Sequence, residues 1–392
     1  MGVTAYKGEV TMNRIIKIGM DVHSKTFTLC ALEPNILGDN HIFGIVKVPA
    51  DYREVVKFIN ALKKKLGPQD DYMIECGYEA GCLGYTLYDQ LKAVGVKCVI
   101  LAPTTMMTQN GKRVKTDARD AKLIAECLAY NKYNPVYVLT DEDEADKEFI
   151  RMRDSHKEQL KKVKQQIHAF CLRHVGRYAK TPWTSAHLKW LSSLKLSEKL
   201  RRVLDGYLTL YTMLTNMIEQ FDGEIEELAE ESGHSEDIRH LVCLRGIKKH
   251  TALAIFSEIG DLHRFRKGDI FAAFLGLAPG EHSSAEDINR TGISKAGNSH
   301  IRKLLIESAK GLCRDRVGYK SKALKARQAG NPVDILTYAD RANIRLQQRY
   351  YHLIRKGKPV NVAVTAVARE LACFIWGMTT GNFAPRAVGN KV

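Results

Sequence analysis

Four carboxylates, Asp21, Glu75, Asp117 and Asp120, and one serine, Ser284, are the side chains whose types and spacing could do chemistry in this sequence. Carboxylates are hard oxygen donors, and a group of them holds Mg²⁺, an ion that prefers oxygen ligands and keeps several waters. Two such ions stabilise the charge on the attacking and leaving oxygens when a phosphodiester is broken. Asp117 and Asp120 stand three residues apart, so on a helix both side chains lie on one face. Glu75 follows Tyr-Met-Ile at what reads as the end of a buried strand, where an acid is costly unless paired or bound to a cation. Each of these residues also has a plainer use. Asp117 and Asp120 suit a helix cap and a first-turn acid matched to the dipole, and Asp21 suits the start of a turn. Ser284 lies in a stretch of hydroxyls, acids and glycines from Pro279 to Lys303, where a serine commonly forms a turn or caps a helix. Its hydroxyl becomes a nucleophile only when another group activates it.

The acids need a scaffold that brings distant residues together, and the pattern supplies one. Apolar residues Ile15, Ile16, Ile18, Met20 and Val22 predict a first strand with Asp21 near its end. Strands over Thr26 to Leu32 and His41 to Val48 follow at short intervals and make an antiparallel meander. The rhythm then alternates: helix 52–66, strand Tyr72 to Glu75, helix 81–94, strand 96–101, and helix 117–130 after a basic loop. A meander followed by β/α units predicts a ribonuclease-H-like mixed sheet with helices on both faces. In such a sheet strand ends open onto a common crevice. Residues 1–13 read as an extension ahead of it. Lys112, Arg113 and Lys115 in the basic loop, with Arg119 just inside the helix, are candidate phosphate contacts.

Two stretches with coiled-coil spacing come next. Leu204, Tyr207, Tyr211, Leu214, Ile218, Phe221, Ile225 and Leu228 alternate steps of three and four, and Leu160, Val163, Ile167, Phe170 and His174 do the same. They predict an antiparallel arm over 141–235, each helix about 40 Å long, with an insertion near 176–200. Its seam is either intramolecular or shared with a second subunit. The remainder, 236–392, reads as mostly helical. Leu241 to Gly260 suggests a helical hairpin turning at Gly246, which either holds a phosphate at a helix N-terminus or is a plain hairpin. Lys248, Lys249, Lys295 and Arg302 are further candidate nucleic-acid contacts.

The chain of 392 residues carries a net charge of +16, with cations spread along its length, which points to a polyanionic partner, nucleic acid first. Nine cysteines, an odd number without Cys-x-x-Cys pairs, disfavour zinc and disulfides. The start lacks the apolar core of a signal peptide, and no run of 18 or more apolar residues marks a membrane span. A cytoplasmic protein with no membrane partner is the expectation.

Gly-Met-Asp-Val-His-Ser-Lys at 19–25, Ile-Glu-Cys-Gly-Tyr at 74–78, Lys-Thr-Asp-Ala-Arg-Asp-Ala-Lys-Leu-Ile-Ala at 115–125, Gly-Leu-Ala-Pro at 276–279, Ser283-Ser284 and Ile-Ser-Lys-Ala-Gly-Asn at 293–298 occur in one order along the chain. Together they resemble the DEDD transposases of insertion-sequence family one-ten, described as bridge-RNA-guided recombinases. The resemblance covers nearly the whole chain. Ala285 departs from the glycine that usually follows the family's serine and leaves Ser283 open beside Ser284. The resemblance implies a RuvC-like domain over 14–140 in which Asp21, Glu75, Asp117 and Asp120 bind Mg²⁺. It implies a C-terminal domain whose Ser284 attacks the scissile phosphate to give a covalent phosphoserine intermediate. It further implies donor and target double-stranded DNA and a structured noncoding guide RNA as partners, in a prokaryotic, nucleoid-associated enzyme. Because the whole arm separates Asp120 from Ser284, a homodimer, and a tetramer when two DNAs are joined, is the expected assembly. The competing reading is a metal-dependent endonuclease of the Holliday-junction resolvase type without a serine nucleophile.

Overall fold

The computed structural model describes residues 14–35, 37–67, 72–81, 83–106, 116–283, 288–314 and 316–383. The extension before Arg14, the basic loop residues Lys112, Arg113 and Lys115, and Ser284 lie outside the described residues. The chain forms two compact units, 1–138 and 139–392.

The first unit is a five-stranded sheet. Strands β1 (Arg14–Val22), β2 (Thr26–Glu33) and β3 (His41–Pro49) are the meander, and β4 (Tyr72–Glu79) and β5 (Cys98–Leu101) complete the order β3-β2-β1-β4-β5. The pairs β1–β2 and β2–β3 are antiparallel, and β1–β4 and β4–β5 are parallel. The mixed sheet expected from the sequence is therefore present. Its side chains alternate between two layers, as the period of a strand requires. Ile16, Ile18, Met20, Phe27, Leu29, Tyr72, Cys76 and Tyr78 pack against α1 (Tyr52–Leu66) and α2 (Thr86–Ala93). On the other face, Cys30 and Leu32 pack against Ala121 and Ala125 of α3 (Asp117–Ala129).

One boundary differs from the sequence expectation with consequences for the site. β4 does not end at Glu75. It continues through Cys76, Gly77 and Tyr78, all buried, to Glu79. Tyr78 is 1% exposed, so the pull of its ring into the α1/α2 layer carries the strand four residues further.

Among the described residues the second unit is helical apart from one hairpin. Helices α4 (Asp141–His174) and α6 (Glu198–Glu231) are 34 residues each, about 51 Å by the rise per residue and longer than expected. They pack on each other within one chain: Val163, Ile167 and Phe170 of α4 share a core with Leu204, Tyr211 and Leu214 of α6. Between them lies α5 (Ser185–Ser193). The base of this pair, Ile150, Ile225 and Ala229, joins the main core of the unit. That core also takes in α7 (Ser235–Leu241), α8 (Lys249–Ile259), α9 (Gly268–Phe274), α10 (Ser299–Leu312), α12 (Val333–Arg355) and α13 (Val360–Thr379). The short α11 (Lys322–Gln328) precedes α12. Length and composition alone would let α13 pass as a membrane span. Here Val364, Val367, Ala368, Leu371, Ala372 and Ile375 are buried against α9, α10 and α12.

The stretch read as a loop around Ser284 contains an antiparallel pair, β6 (Pro279–Ser283) and β7 (Ile288–Ile293), with Ser283 opposite Ile288. Residues 284–287 between them are outside the described set. The eight described cysteines are all free thiols.

Candidate active site

One row across the first sheet gathers the chemistry. Asp21 of β1 pairs with Thr28 of β2, and Thr28 pairs with Lys47 of β3. On the other side Met20 pairs with Tyr78, so Asp21 and Glu79, each one residue further, stand level at the same end of their strands. Both point to the α3 face, because they alternate with Met20 and Tyr78, which are buried on the opposite side.

Helix α3 supplies the other two acids. Its backbone rests on Gly19: a Cβ there would sit 2.1 Å from the Ala121 carbonyl oxygen and 2.2 Å from the Ala125 nitrogen. Only glycine permits that approach. Two residues beyond Gly19 on the same face is Asp21, and Asp117 lies one turn before Ala121 with Asp120 immediately before it, so the helix start is delivered to the end of β1. Ligand atoms of Asp21, His23 and Asp117 all lie within 4.8 Å of one another. Burial raises the Asp21 carboxyl above its ordinary range, His23 opposes this, and the charges of Asp120 and Asp117 push it further up.

A cation fits this arrangement. Asp21 Oδ2 is buried without a well-formed hydrogen bond, with the His23 Nε2 ring nitrogen 3.3 Å away. A buried carboxylate oxygen left in this state is costly, and a divalent ion would relieve both that cost and the repulsion among the acids. Lys47 Nζ lies 2.7 Å from Asp117 Oδ2. Its hydrogen bond holds Asp117 below the usual carboxylate range. The lysine thus serves Asp117 in the way a cation would.

Glu75 is not part of this group. It is level with Lys17, not Asp21, four residues back along β4 and about 13 Å by the rise of a strand. Lys17 bonds to one carboxylate oxygen and Lys97 lies 3.0 Å from the other. Burial would raise its pKa, but the two lysine hydrogen bonds outweigh burial and hold it below the usual range. Its charge is thus met by two lysines. The acid level with Asp21 is Glu79, which the sequence reading did not single out, although two acids four apart on one strand share a face and the later one is nearer the strand's end. His23 was likewise missed as a neighbour of Asp21.

In the second unit the root of the β6–β7 hairpin is pinned from several sides. Ser294 N–H donates to the Ala278 carbonyl at 2.9 Å, and Lys295 N–H to that of Gly276 at 3.1 Å. Arg302, a candidate nucleic-acid contact, is half-buried and donates through Nη1 to Leu275 O at 2.9 Å and Ala296 O at 3.0 Å. Gly297 has φ +71°, and a Cβ there would lie 1.9 Å from the Phe274 carbonyl oxygen. Lys249 is also committed, 2.9 Å from Glu226 and 2.6 Å from Glu230. Lys248 at the start of α8, Lys295 and Arg119 are exposed.

Beneath the hairpin root is a partly buried charge network. His300 Nδ1 lies 2.6 Å from Glu258 Oε1 and its Nε2 2.8 Å from Asp154 Oδ2. His250 Nε2 is 3.1 Å from Asp154 Oδ1, Arg151 reaches Glu258 at 2.8 Å, and Arg153 reaches Asp154 at 2.8 Å. Asn298 caps α10 and donates to Glu258 at 2.6 Å. The hydrogen bonds that His300 makes to the Asp154 and Glu258 carboxylates outweigh burial and push it up to about 9. Burial opposes ionisation of Glu258, but His300, Arg151 and Asn298 bring it down to about 2.

Two family models match the chain. Residues 18–175 match a DEDD family model of the IS110 type described as a transposase, and residues 239–325 match the model described as "Transposase IS116/IS110/IS902 family". The chain is 32% identical over 364 residues to the putative transposase y4qE of Sinorhizobium fredii (strain NBRC 101917 / NGR234), covering 92% of this chain and 87% of the relative. It is 30% identical over 358 residues to the transposase for insertion sequence element IS1533 of Leptospira borgpetersenii, covering 88% of this chain and 99% of that protein.

Proposed function

Because the chain belongs to the IS116/IS110/IS902 family of transposases, enzymes that cleave and rejoin DNA, we propose that it moves an insertion sequence by Mg²⁺-dependent strand exchange through a phosphoserine intermediate. The observation that carries this reading is the meeting of Asp21, His23 and Asp117, with the charge of Asp120 beside them, at one end of the sheet's strands around a buried Asp21 oxygen. Glu79, level with Asp21, takes the place of Glu75 as the fourth acid. Bound there, Mg²⁺ would neutralise phosphate charge and lower the pKa of a coordinated oxygen.

Ser284 is the nucleophile in this reading. Its hydroxyl oxygen forms a bond to the scissile phosphorus while one ester bond of the DNA strand breaks. The leaving oxygen takes up a proton as the serine gives one up. Because the phosphoester is conserved, a hydroxyl of the partner DNA reverses the step and releases the serine, exchanging strands without a nucleotide cofactor. Donor and target duplexes, a structured guide RNA, and a dimer that pairs into a tetramer complete the proposal. The net charge of +16 supports polyanionic partners of this extent.

The test is to incubate the protein with its element's end sequence and Mg²⁺ and look for DNA attached to protein. Ser284→Ala should abolish both cleavage and adduct, and Asp21→Asn should do the same. Continued cutting by Ser284→Ala would instead favour hydrolysis by water at the acidic centre, as in a junction-resolving endonuclease. RNA copurifying from cells that carry the element would bear on the guide, and mass measurement of the loaded complex on the assembly.

A further inference from the structure

The far half of the helical arm contains a cavity that the acidic centre does not use. Its volume is about 380 Å³, and its walls come from α4, the connection after it, and α5. That size lies within the range of ligand pockets. The walls are aromatic. Trp190 lies 5.0 Å from Tyr178 and 5.7 Å from His187, nearly parallel to the latter at 18°. Trp183 stacks on Tyr211 at 5.1 Å and 26°, and meets His187 edge-on at 5.1 Å.

Several features set this pocket apart from ordinary packing. The core beside it is already closed by Val163, Ile167, Phe170, Leu191, Leu204 and Leu214, while Trp183 and Trp190 remain only partly buried. Trp183 is held at φ +64°, a left-handed conformation that is strained for a bulky residue and tends to collect at functional sites. Every full charge among the lining residues is positive, including Lys161, Lys164 and Arg177. Lys164 Nζ stands 5.3 Å from the Trp183 ring and 5.6 Å from that of Tyr211. Finally, His187 is 6% exposed, and its Nδ1 accepts from the Trp183 backbone N–H at 3.1 Å. That fixes a neutral ring with its proton on Nε2, a donor suited to a base edge.

We propose that this pocket receives an unpaired nucleobase of a single-stranded nucleic-acid segment, stacked among Trp183, Trp190 and Tyr178, with the flanking phosphates against Lys161, Lys164 and Arg177. Planar rings bind every base through its π-face, and cations beside them track the backbone. A duplex keeps its bases stacked inside and cannot enter. The proposal rests on the reading of the protein as one that acts on nucleic acid, but on neither its nucleophile nor its metal.

The experiment uses the full chain in chelator, so that no cutting occurs, with twelve-residue oligo-dT, twelve-residue oligo-rU and a fully paired DNA hairpin as probes. Binding and tryptophan fluorescence are read together. Single strands should quench the fluorescence and the hairpin should not, and the dT and rU arms show whether DNA or RNA is the preferred source. Trp183→Ala and Trp190→Ala should weaken single-strand binding roughly tenfold, from the usual contribution of one stacked base, with hairpin affinity unchanged. Trp183→Phe should recover most of the loss. Arg177→Ala, which removes no packing ring, should weaken single-strand binding and lower its salt slope by about one. Single-strand affinity at the wild-type level in both alanine variants of the tryptophans, or equal losses for single strand and hairpin, would overturn the proposal. If neither kind of probe bound at all, the nucleic-acid reading itself would fall.

Discussion

The acidic centre depends on a difference between two glutamates four residues apart. Glu75 is held by Lys17 and Lys97, whereas Glu79 ends β4 level with Asp21. Glu79→Gln should therefore reduce DNA cleavage by 100-fold or more, as loss of a metal ligand commonly does, while Glu75→Gln should leave most of it, with plasmid nicking as the readout. The reverse order would return Glu75 to the centre. Asp21 carries a second consequence. Its carboxyl is raised by burial and by its acidic neighbours, so without metal it opposes folding. Asp21→Asn should raise the melting temperature of the metal-free protein by roughly 2–4 °C and remove the further gain that Mg²⁺ gives the parent. A lower melting point in chelator would show that the carboxylate is instead a structural asset.

Secondary-structure elements position these residues, and two contacts set how tolerant they are. Gly19 lets α3 lie on β1. Gly19→Ala should cost about 3 kcal/mol or more in urea unfolding, because backbone must move to admit a methyl group. The same change should move Asp117 and Asp120 away from Asp21 and reduce cleavage, and unchanged stability would contradict the close approach. The second contact is the network joining α4, α8 and α10. His300, raised from 6.5 to about 9, stabilises fully below about pH 6.5, and its contribution fades as pH rises through 9. Glu258, lowered from 4.5 to about 2, contributes above pH 4.5, and its share is lost as pH falls toward 2. The second unit should thus be most stable between about pH 4.5 and 6.5. The shift of His300 corresponds to about 3 kcal/mol on the alkaline side, shared with its acidic partners. In His300→Ala, urea midpoints measured from pH 6 to 10 should lose this alkaline decline.

At the scale of the whole chain, the mixed sheet, the long helix pair and the order of motifs were legible because each leaves a periodic trace. The meander alternates with period two, and the helix-pair seam runs in steps of three and four from Leu204 to Leu228. What the sequence did not show was where a pattern stopped. The small and sulfur-containing residues Cys76 and Gly77 gave β4 no visible alternation, so the strand was ended at Glu75 and the wrong acid was placed at its tip. Nor could charge alone separate Arg302 and Lys249, which hold carbonyls and carboxylates, from cations left exposed. Only the partners decide that. The core of the second unit likewise draws on residues from Ile150 to Met378, a span that no local pattern marks.

That last core is finished by α13, whose buried side settles on α9, α10 and α12. A ribosome delivers this helix after every other described one. Until it emerges, the apolar surfaces it covers remain wet, and a nascent chain halted at residue 359 is expected to pellet or remain with chaperones, whereas one released after residue 383 stays in the supernatant. A soluble, monodisperse 1–359 fragment would refute this. The module bearing the hairpin therefore gains its full core only after α13 has left the ribosome.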